Sequence, residues 1–544
     1  MSKSPPSTDA KPVDPLGRTP SYAEGQILPS GAIHTQRGIK SRHAQMMAIG
    51  GTIGTGLFVG VGEVLALAGP ANILLAYIAI CIVVYAIITA TNEMNTYLPT
   101  SGCSMASYAT RFVSPSLGFA LGLLYWYSFG IIVAYEVTAA AVVISYWPNP
   151  VPLAAWITIM LIIVIALNFF PVRYYGESEF WFASLKVFLI IGLLILSFIL
   201  FWGGGPASHA RLGFHYWRDP GAMNTYLVSG PTGRFCAFLH TLCYSVFSFN
   251  FAPELLVLAA GEMQNPRKNL PRAAKQYFYR LLIFYILGVL AIGVICPSTA
   301  SGLATGTGVA ASPWVIAIKR AGIHGLDSVV NAVIITSAWS SANSYLYMSS
   351  RTLYSLAKTG SAPALFARCN RHGVPHDAVL VSSLFSLLAY MDCGAGASTA
   401  FNWFVNITTT AGFTSWTCCG IIFLRFRKAC TVQGLSGKDM PYRSMWQPYG
   451  AVLATLLCPI LLLCNGFGVF FRGEWSVSGF WTSYVGLFVF LAIYATHRVV
   501  RWGDGWARGP EEVDLVSGLE EVLALWGDGD GEGEKRGFWR RVWD

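Results

Sequence analysis

Charge is what this 544-residue chain has least of: 12% of its residues are Asp, Glu, Lys or Arg, against roughly a quarter in soluble domains. A chain this long with so few charges cannot cover itself with a soluble surface. With 54% hydrophobic residues, it reads as a polytopic membrane protein. An apolar leader is also missing. The opening MSKSPPSTDAKPVDPLGRTPS is polar and rich in Pro and Ser, so a cleaved signal peptide is not expected and a disordered tail is. The twelve cysteines form no C-x-x-C pair, which leaves neither a disulfide framework nor a zinc site to expect. There is no G-x-x-x-x-G-K-S/T phosphate loop, and Gly54-Thr55-Gly56 lacks the third glycine of a dinucleotide fingerprint. No nucleophile–base pair stands at a usable spacing, so an enzyme is not expected.

What the chain does have is a succession of apolar runs about 20 residues long, each enough to cross a bilayer. They predict an all-α fold of twelve spans, near 44–68, 71–92, 117–147, 152–170, 181–202, 236–260, 277–297, 328–348, 378–391, 401–424, 449–471 and 478–497. Residues 1–43 and 498–544 then form tails around the transporter domain 44–497. With both termini inside, 29 of the 36 Lys and Arg fall on the cytoplasmic side. Six fall outside (Arg211, Arg218, Arg234, Lys319, Arg320 and Arg472), and Lys186 lies within the fifth span. That asymmetry predicts cytoplasmic termini. The net charge of +9 then reflects topology, and no nucleic-acid partner is expected.

The first span contains IGGTIGTGLF (49–58), with glycine at 50, 51, 54 and 56. Each glycine weakens a helix interior by roughly 1 kcal/mol relative to alanine. Gly50 and Gly54 fit a GxxxG packing face. They equally fit a broken helix, whose second half offers free N–H groups to an anion. The sixth span favours the break, because SVFSFNFAPELLVLAAGE (245–262) carries Pro253, which leaves the Phe249 carbonyl without its helical donor. Breaks five spans apart are the mark of two inverted five-helix repeats with a site between them. N–H groups at Ile53, Gly54, Thr55 and Gly56 suit a carboxylate, and carbonyls at Phe247, Ser248, Phe249 and Asn250 suit an ammonium. A ligand carrying both groups is an α-amino acid.

Four ionisable residues lie where a bilayer makes them expensive: Glu63, Glu136, Lys186 and Glu254. Glu63 suits snorkelling. Glu254, in the first turn after Pro253, suits helix capping as well as coupling. Lys186 is set several residues into its span, as a buried amine exchanging a proton or as a fixed charge in place of a bound sodium ion.

Taken together, these stretches resemble the fungal amino-acid permeases of the amino acid–polyamine–organocation superfamily. The resemblance is carried by IGGTIGTGLFVGVG (49–62), NEMNTYLPTSGCSMASYATRFVSPSLGFALG (92–122), YGESEFWFASLKV (175–187), AAGEMQNPRKNLPRA (259–273), TSAWSSANSYLYMSSRTLYSLAKTGSAP (336–363) and FNWFVNITTTAGF (401–413), all in family order. It implies a LeuT-like core of ten helices (44–424) plus two more (449–497). It implies a plasma-membrane importer of amino acids driven by a proton gradient, with no cofactor. It also implies that the Ile53–Gly56 backbone holds the substrate carboxylate and that helix six holds the amine. Lys186, Glu136 and Glu254 are the expected coupling residues. The chain departs from the family where relatives carry a glycine two residues before the helix-six glutamate, since Ala252 stands there. A polyamine permease of the same fold and an amino-acid sensor without net transport are the competing expectations. In the C-terminal tail, EEVDLVSGLEEVLALW (511–526) is spaced as an amphipathic helix.

Overall fold

Proline and serine at helix starts set out the architecture. Pro70, Pro115, Pro266 and Pro313 each occupy a first-turn position, where the missing N–H costs nothing. The Ser104, Ser114 and Ser476 side chains accept from the first-turn N–H groups of their own helices. The computed structural model describes residues 46, 51, 53–100, 103–148, 150–206, 209, 211–249, 251–261, 263, 265–303, 312–393, 397–435, 437 and 440–519. The named elements are all helical: α1 (Val61–Ala68), α2 (Pro70–Tyr97), α3 (Met105–Phe112), α4 (Pro115–Ile144), α5 (Leu153–Asn168), α6 (Val172–Phe201), α7 (Gly230–Phe249), α8 (Ala252–Ala260), α9 (Pro266–Ile295), α10 (Pro313–Arg320), α11 (Leu326–Lys358), α12 (His376–Ser383), α13 (Ala397–Val432), α14 (Tyr449–Cys464) and α15 (Val477–Val500). A π-helical turn, Gly56–Gly60, leads into α1. By length and composition, seven helices among the described residues are able to cross a membrane, and four shorter apolar helices accompany them. The chain is a multi-pass membrane protein.

Two packing groups emerge. Helix α2 packs on α7 and α9, and α4 packs on α11 along their length. Helix α6 touches both groups, through α9 and through α11. The 33-residue α11 covers the span expected near 328–348 but is less apolar than that expectation, because its buried face is a stripe of hydroxyls at Ser337, Ser340, Ser341 and Ser344. Spacings of three and four residues put these on one side of the helix.

At one end of the bundle, α2 and α13 are joined by an ion pair. The wholly buried Glu93 carboxylate accepts from Arg427 Nη2 at 3.1 Å and from the Ser444 N–H at 3.2 Å. Removing one partner strands the other's charge, so Arg427→Met should cost about 3 kcal/mol. Glu93→Gln combined with Arg427→Met should recover most of that loss, as read by thermal unfolding in detergent.

Of the 511–526 stretch spaced as an amphipathic helix, residues 511–518 form turns and bends, Leu519 is helical, and 520–526 lie outside the described residues. Val513, Leu515 and Leu519 are buried, and its backbone groups find tertiary partners in place of helical ones. Gln433 Nε2 donates to the carbonyls of Pro510 and Val513 at 3.0 and 2.7 Å, and Arg111 donates to the carbonyls of Asp514 and Ser517. Burial opposes the charge on Asp514, but Arg111 at 3.1 Å and the Ser517 and Val516 N–H groups outweigh it and hold the carboxyl below its ordinary value. A depressed carboxyl stabilises above its unfolded pKa, and that stabilisation is lost only as pH falls through the folded one. This docked strap therefore stays in place at neutral pH.

Candidate functional site

The first helix is interrupted where the glycines predict. Ile53 and Gly54 are bends, and helical geometry resumes at Thr55. The carbonyls freed by the interruption are taken by the serine stripe of α11: Ser337 Oγ donates to Ile53 O at 3.0 Å and Ser341 Oγ to Gly51 O at 3.1 Å. A serine hydroxyl reaches a carbonyl only from a closely packed helix, which explains why α11 tolerates so much polarity. Gly54 has a steric reason to lack a side chain, since a Cβ there would run into Glu136 Oε1 and come within 3.0 Å of Ser341 Oγ. Gly56 lies against α7, where a Cβ would stand 3.2 Å from Ser248 Oγ.

Glu136, from the middle of α4, aims into this interruption. Its carboxylate accepts from the Thr55 hydroxyl at 3.0 Å, from the Thr55 N–H at 3.4 Å and from Ser341 Oγ at 3.2 Å. The donor expected to meet a substrate carboxylate is thus engaged by a carboxylate of the protein itself. Lys186 on α6 is wholly buried, and the charges acting on it are those of Glu179 and Glu136. Glu179 is a site residue the sequence reading missed. The fifth span was expected to begin at 181, but α6 begins at Val172 and buries Glu179 completely. Polar Arg173, Glu177 and Ser178 depress the hydropathy of that first stretch, while no further proline follows Pro171 within the helix. Ser340 Oγ donates to Glu179 Oε1 at 2.5 Å, and no donor meets the buried Oε2 in hydrogen-bonding geometry among the described residues. Glu179 and Lys186 stand seven residues apart on one helix, a spacing that returns to the same face.

The second interruption lies between α7, which ends at Phe249, and α8, which begins at Ala252. Asn250 lies outside the described residues. The left-handed residue is Phe251, at φ 54° and ψ 18°, and Ala252 is already helical. Pro253 falls in the first turn of α8, so it starts the second half-helix. The Ser248 carbonyl accepts from the Tyr285 hydroxyl at 2.7 Å, and Ser248 Oγ pairs with Tyr77 at 2.8 Å. Phe249 is fully buried between Tyr77 and Tyr285, with ring centroids at 5.5 and 4.4 Å. Phe247 meets Tyr135 edge-on at 4.8 Å, and Phe251 meets Phe129 edge-on at 4.8 Å.

Glu254 is bound by side chains other than those that hold Glu136 and Glu179. Its Oε1 accepts from Ser415 on α13 and from the Tyr125 hydroxyl at 3.4 Å. Glu63 accepts from the Tyr244 hydroxyl at 3.4 Å. No group of three His, Cys, Asp or Glu is placed to hold a metal ion among the described residues.

Comparison with known proteins bears on what such a site handles. The family model described as amino acid permease matches residues 43–501. A proline-specific permease of Emericella nidulans is 48% identical, covering 97% of each chain. A proline-specific permease of Saccharomyces cerevisiae is 43% identical over 90% of this chain and 79% of its own. A lysine-specific permease of the same yeast is 39% identical over 94% and 82%.

Proposed function

The chain belongs to the amino acid permease family and is therefore a transporter and not an enzyme; from that premise we propose that it imports a neutral amino acid, proline first among the candidates, by proton symport across the plasma membrane. The relatives named for proline match at higher identity than the one named for lysine. The fold reading that goes with it is twelve spans, ten of them in a LeuT-like inverted repeat, with both termini cytosolic. Interrupted helices at Ile53–Gly54 and at Phe251 support the repeat, and helical residues within every predicted span are consistent with the span count.

The observation that carries the coupling is Glu136 on the Thr55 N–H and hydroxyl. A substrate carboxylate arriving at that N–H meets a carboxylate already there. Two such groups repel at this distance, and a proton on one of them removes the repulsion. Proton and zwitterion therefore bind together. Lys186 supplies one positive charge to two carboxylates, Glu136 and Glu179. The cluster is one charge short of neutral, and a buried net charge is expensive. One proton completes it. The half-helices then hinge at their interruptions, with Phe247 as the aromatic cover of the substrate. Glu254, tied to α13, acts as a helix-capping carboxylate.

The test is uptake of labelled proline in a host stripped of its own permeases. Expected is uptake abolished by a protonophore, competed by neutral amino acids and untouched by spermidine. Competition by spermidine would favour a polyamine carrier, and binding without uptake a sensor.

A further inference from the structure

Between the end of α6 and α10 lies a cavity of about 400 Å³, separate from the interrupted helices, whose lining includes Leu200, Arg211, His215, Tyr216, Ile295 and Arg320. Its lining is partly apolar, with Leu200 and Ile295 buried. Its rim is basic. The Arg211 guanidinium carbon stands over the Trp202 ring, 4.2 Å from its centroid, and 5.5 Å from that of Phe201. Arg320 sits 5.9 Å above the Tyr216 ring. A guanidinium stacked on an aromatic face keeps its in-plane N–H groups free for an anion. Among the described residues, no carboxylate stands within ion-pair distance of either arginine. The loop bearing Arg211 is anchored, because the Gly213 N–H donates to Phe201 O at 3.0 Å.

The neighbouring surface shows what kind of anion fits. Ile191, Ile195, Phe198 and Trp202 are spaced along one side of α6 and are all at least 40% exposed. This apolar stripe ends at Trp202, the ring that carries Arg211. Two cations at the end of an exposed apolar track match a molecule with a phosphate head and a hydrocarbon tail.

We propose that this cavity is a phospholipid site, in which Arg211 and Arg320 clamp the headgroup phosphate and an acyl chain follows the α6 stripe. Under the proposed topology it opens to the outer leaflet, at the level where arginine meets phosphate at low cost. Purified full-length protein in detergent provides the test, with dioleoyl phosphatidic acid, dioleoylglycerol and inorganic phosphate as the three probes. Phosphatidic acid at saturation should raise the melting temperature by roughly 3 °C, while dioleoylglycerol, which lacks the phosphate, should not. The Arg211→Gln/Arg320→Gln variant should lose the rise, and Arg218→Gln/Lys319→Gln, which removes as much charge from the same face, should keep it. An equal rise in Arg211→Gln/Arg320→Gln, or a full rise with inorganic phosphate alone, overturns the assignment. Should that variant fail to fold, a diazirine-bearing phosphatidic acid on the wild-type chain decides instead. Cross-links concentrated in 191–216 support the site, and cross-links spread equally over exposed helices such as α15 overturn it.

Discussion

Replacing Lys186 with methionine should leave a transporter that carries its substrate but no longer concentrates it. A proton accompanying a zwitterion moves one positive charge inward, and the membrane potential contributes about 2.3 kcal/mol per 100 mV to that movement. This corresponds to roughly a 50-fold accumulation per 100 mV. In Lys186→Met, the ammonium that offsets Glu136 and Glu179 is gone. Both carboxylates then need protons in every state, and the proton that should leave with the substrate has no reason to. Accumulation should collapse to about onefold, insensitive to a protonophore, while exchange of labelled for unlabelled substrate persists in reconstituted vesicles. Surface abundance measured in parallel separates this from misfolding. Continued concentration of substrate by Lys186→Met would remove the lysine from the coupling cycle. Glu179→Gln should reduce accumulation as well. Trp181 on the same helix is 71% exposed, and its replacement by leucine should change neither quantity.

How far the sequence disclosed this arrangement depends on which kind of signal each residue leaves. The interruption at Ile53–Gly54 was legible only alongside the second one, because Gly50 and Gly54 taken alone fit a GxxxG packing face equally well. The interruption in helix six was legible from Pro253, yet the left-handed residue is Phe251, which nothing in its own chemistry announces. A phenylalanine holds that conformation because Phe129 and Tyr125 grip its ring at 4.8 and 5.8 Å, and only packing reveals such a grip. Glu179 escaped because hydropathy averages over a window, so polar neighbours hid a helix that had already begun. The serine stripe of α11 did leave a signal. Ser337, Ser340, Ser341 and Ser344 recur at helical spacing, the sign of a polar face that must be buried against donors or acceptors. The strap at 511–518 shows the opposite failure. Its apolar spacing does reflect burial, but over 511–518 Gln433 and Arg111 take up backbone carbonyls that a helix would have paired.

The close approach of α4 to the first interruption makes a single methyl group the sharpest probe of the site. Gly54→Ala places a carbon onto Glu136 Oε1 and 3.0 Å from Ser341 Oγ. Neither neighbour has room to yield freely, because Glu136 is held by Thr55 and Ser341, and Ser341 by the Gly51 carbonyl. Overpacking of this kind costs about 1–3 kcal/mol, which lowers transport roughly 5- to 150-fold if the strain falls on the substrate-bound state. The matched control is Gly192→Ala on α6, less than two turns from Lys186, where nothing stands within 4 Å of the new carbon. That change replaces glycine by a better helix former and should leave uptake at the wild-type level. Initial uptake rates corrected for surface abundance compare the two. If Gly54→Ala transports as well as Gly192→Ala, the carboxylate of Glu136 does not sit at the helix interruption during the transport cycle, and the shared binding of proton and substrate loses its physical basis.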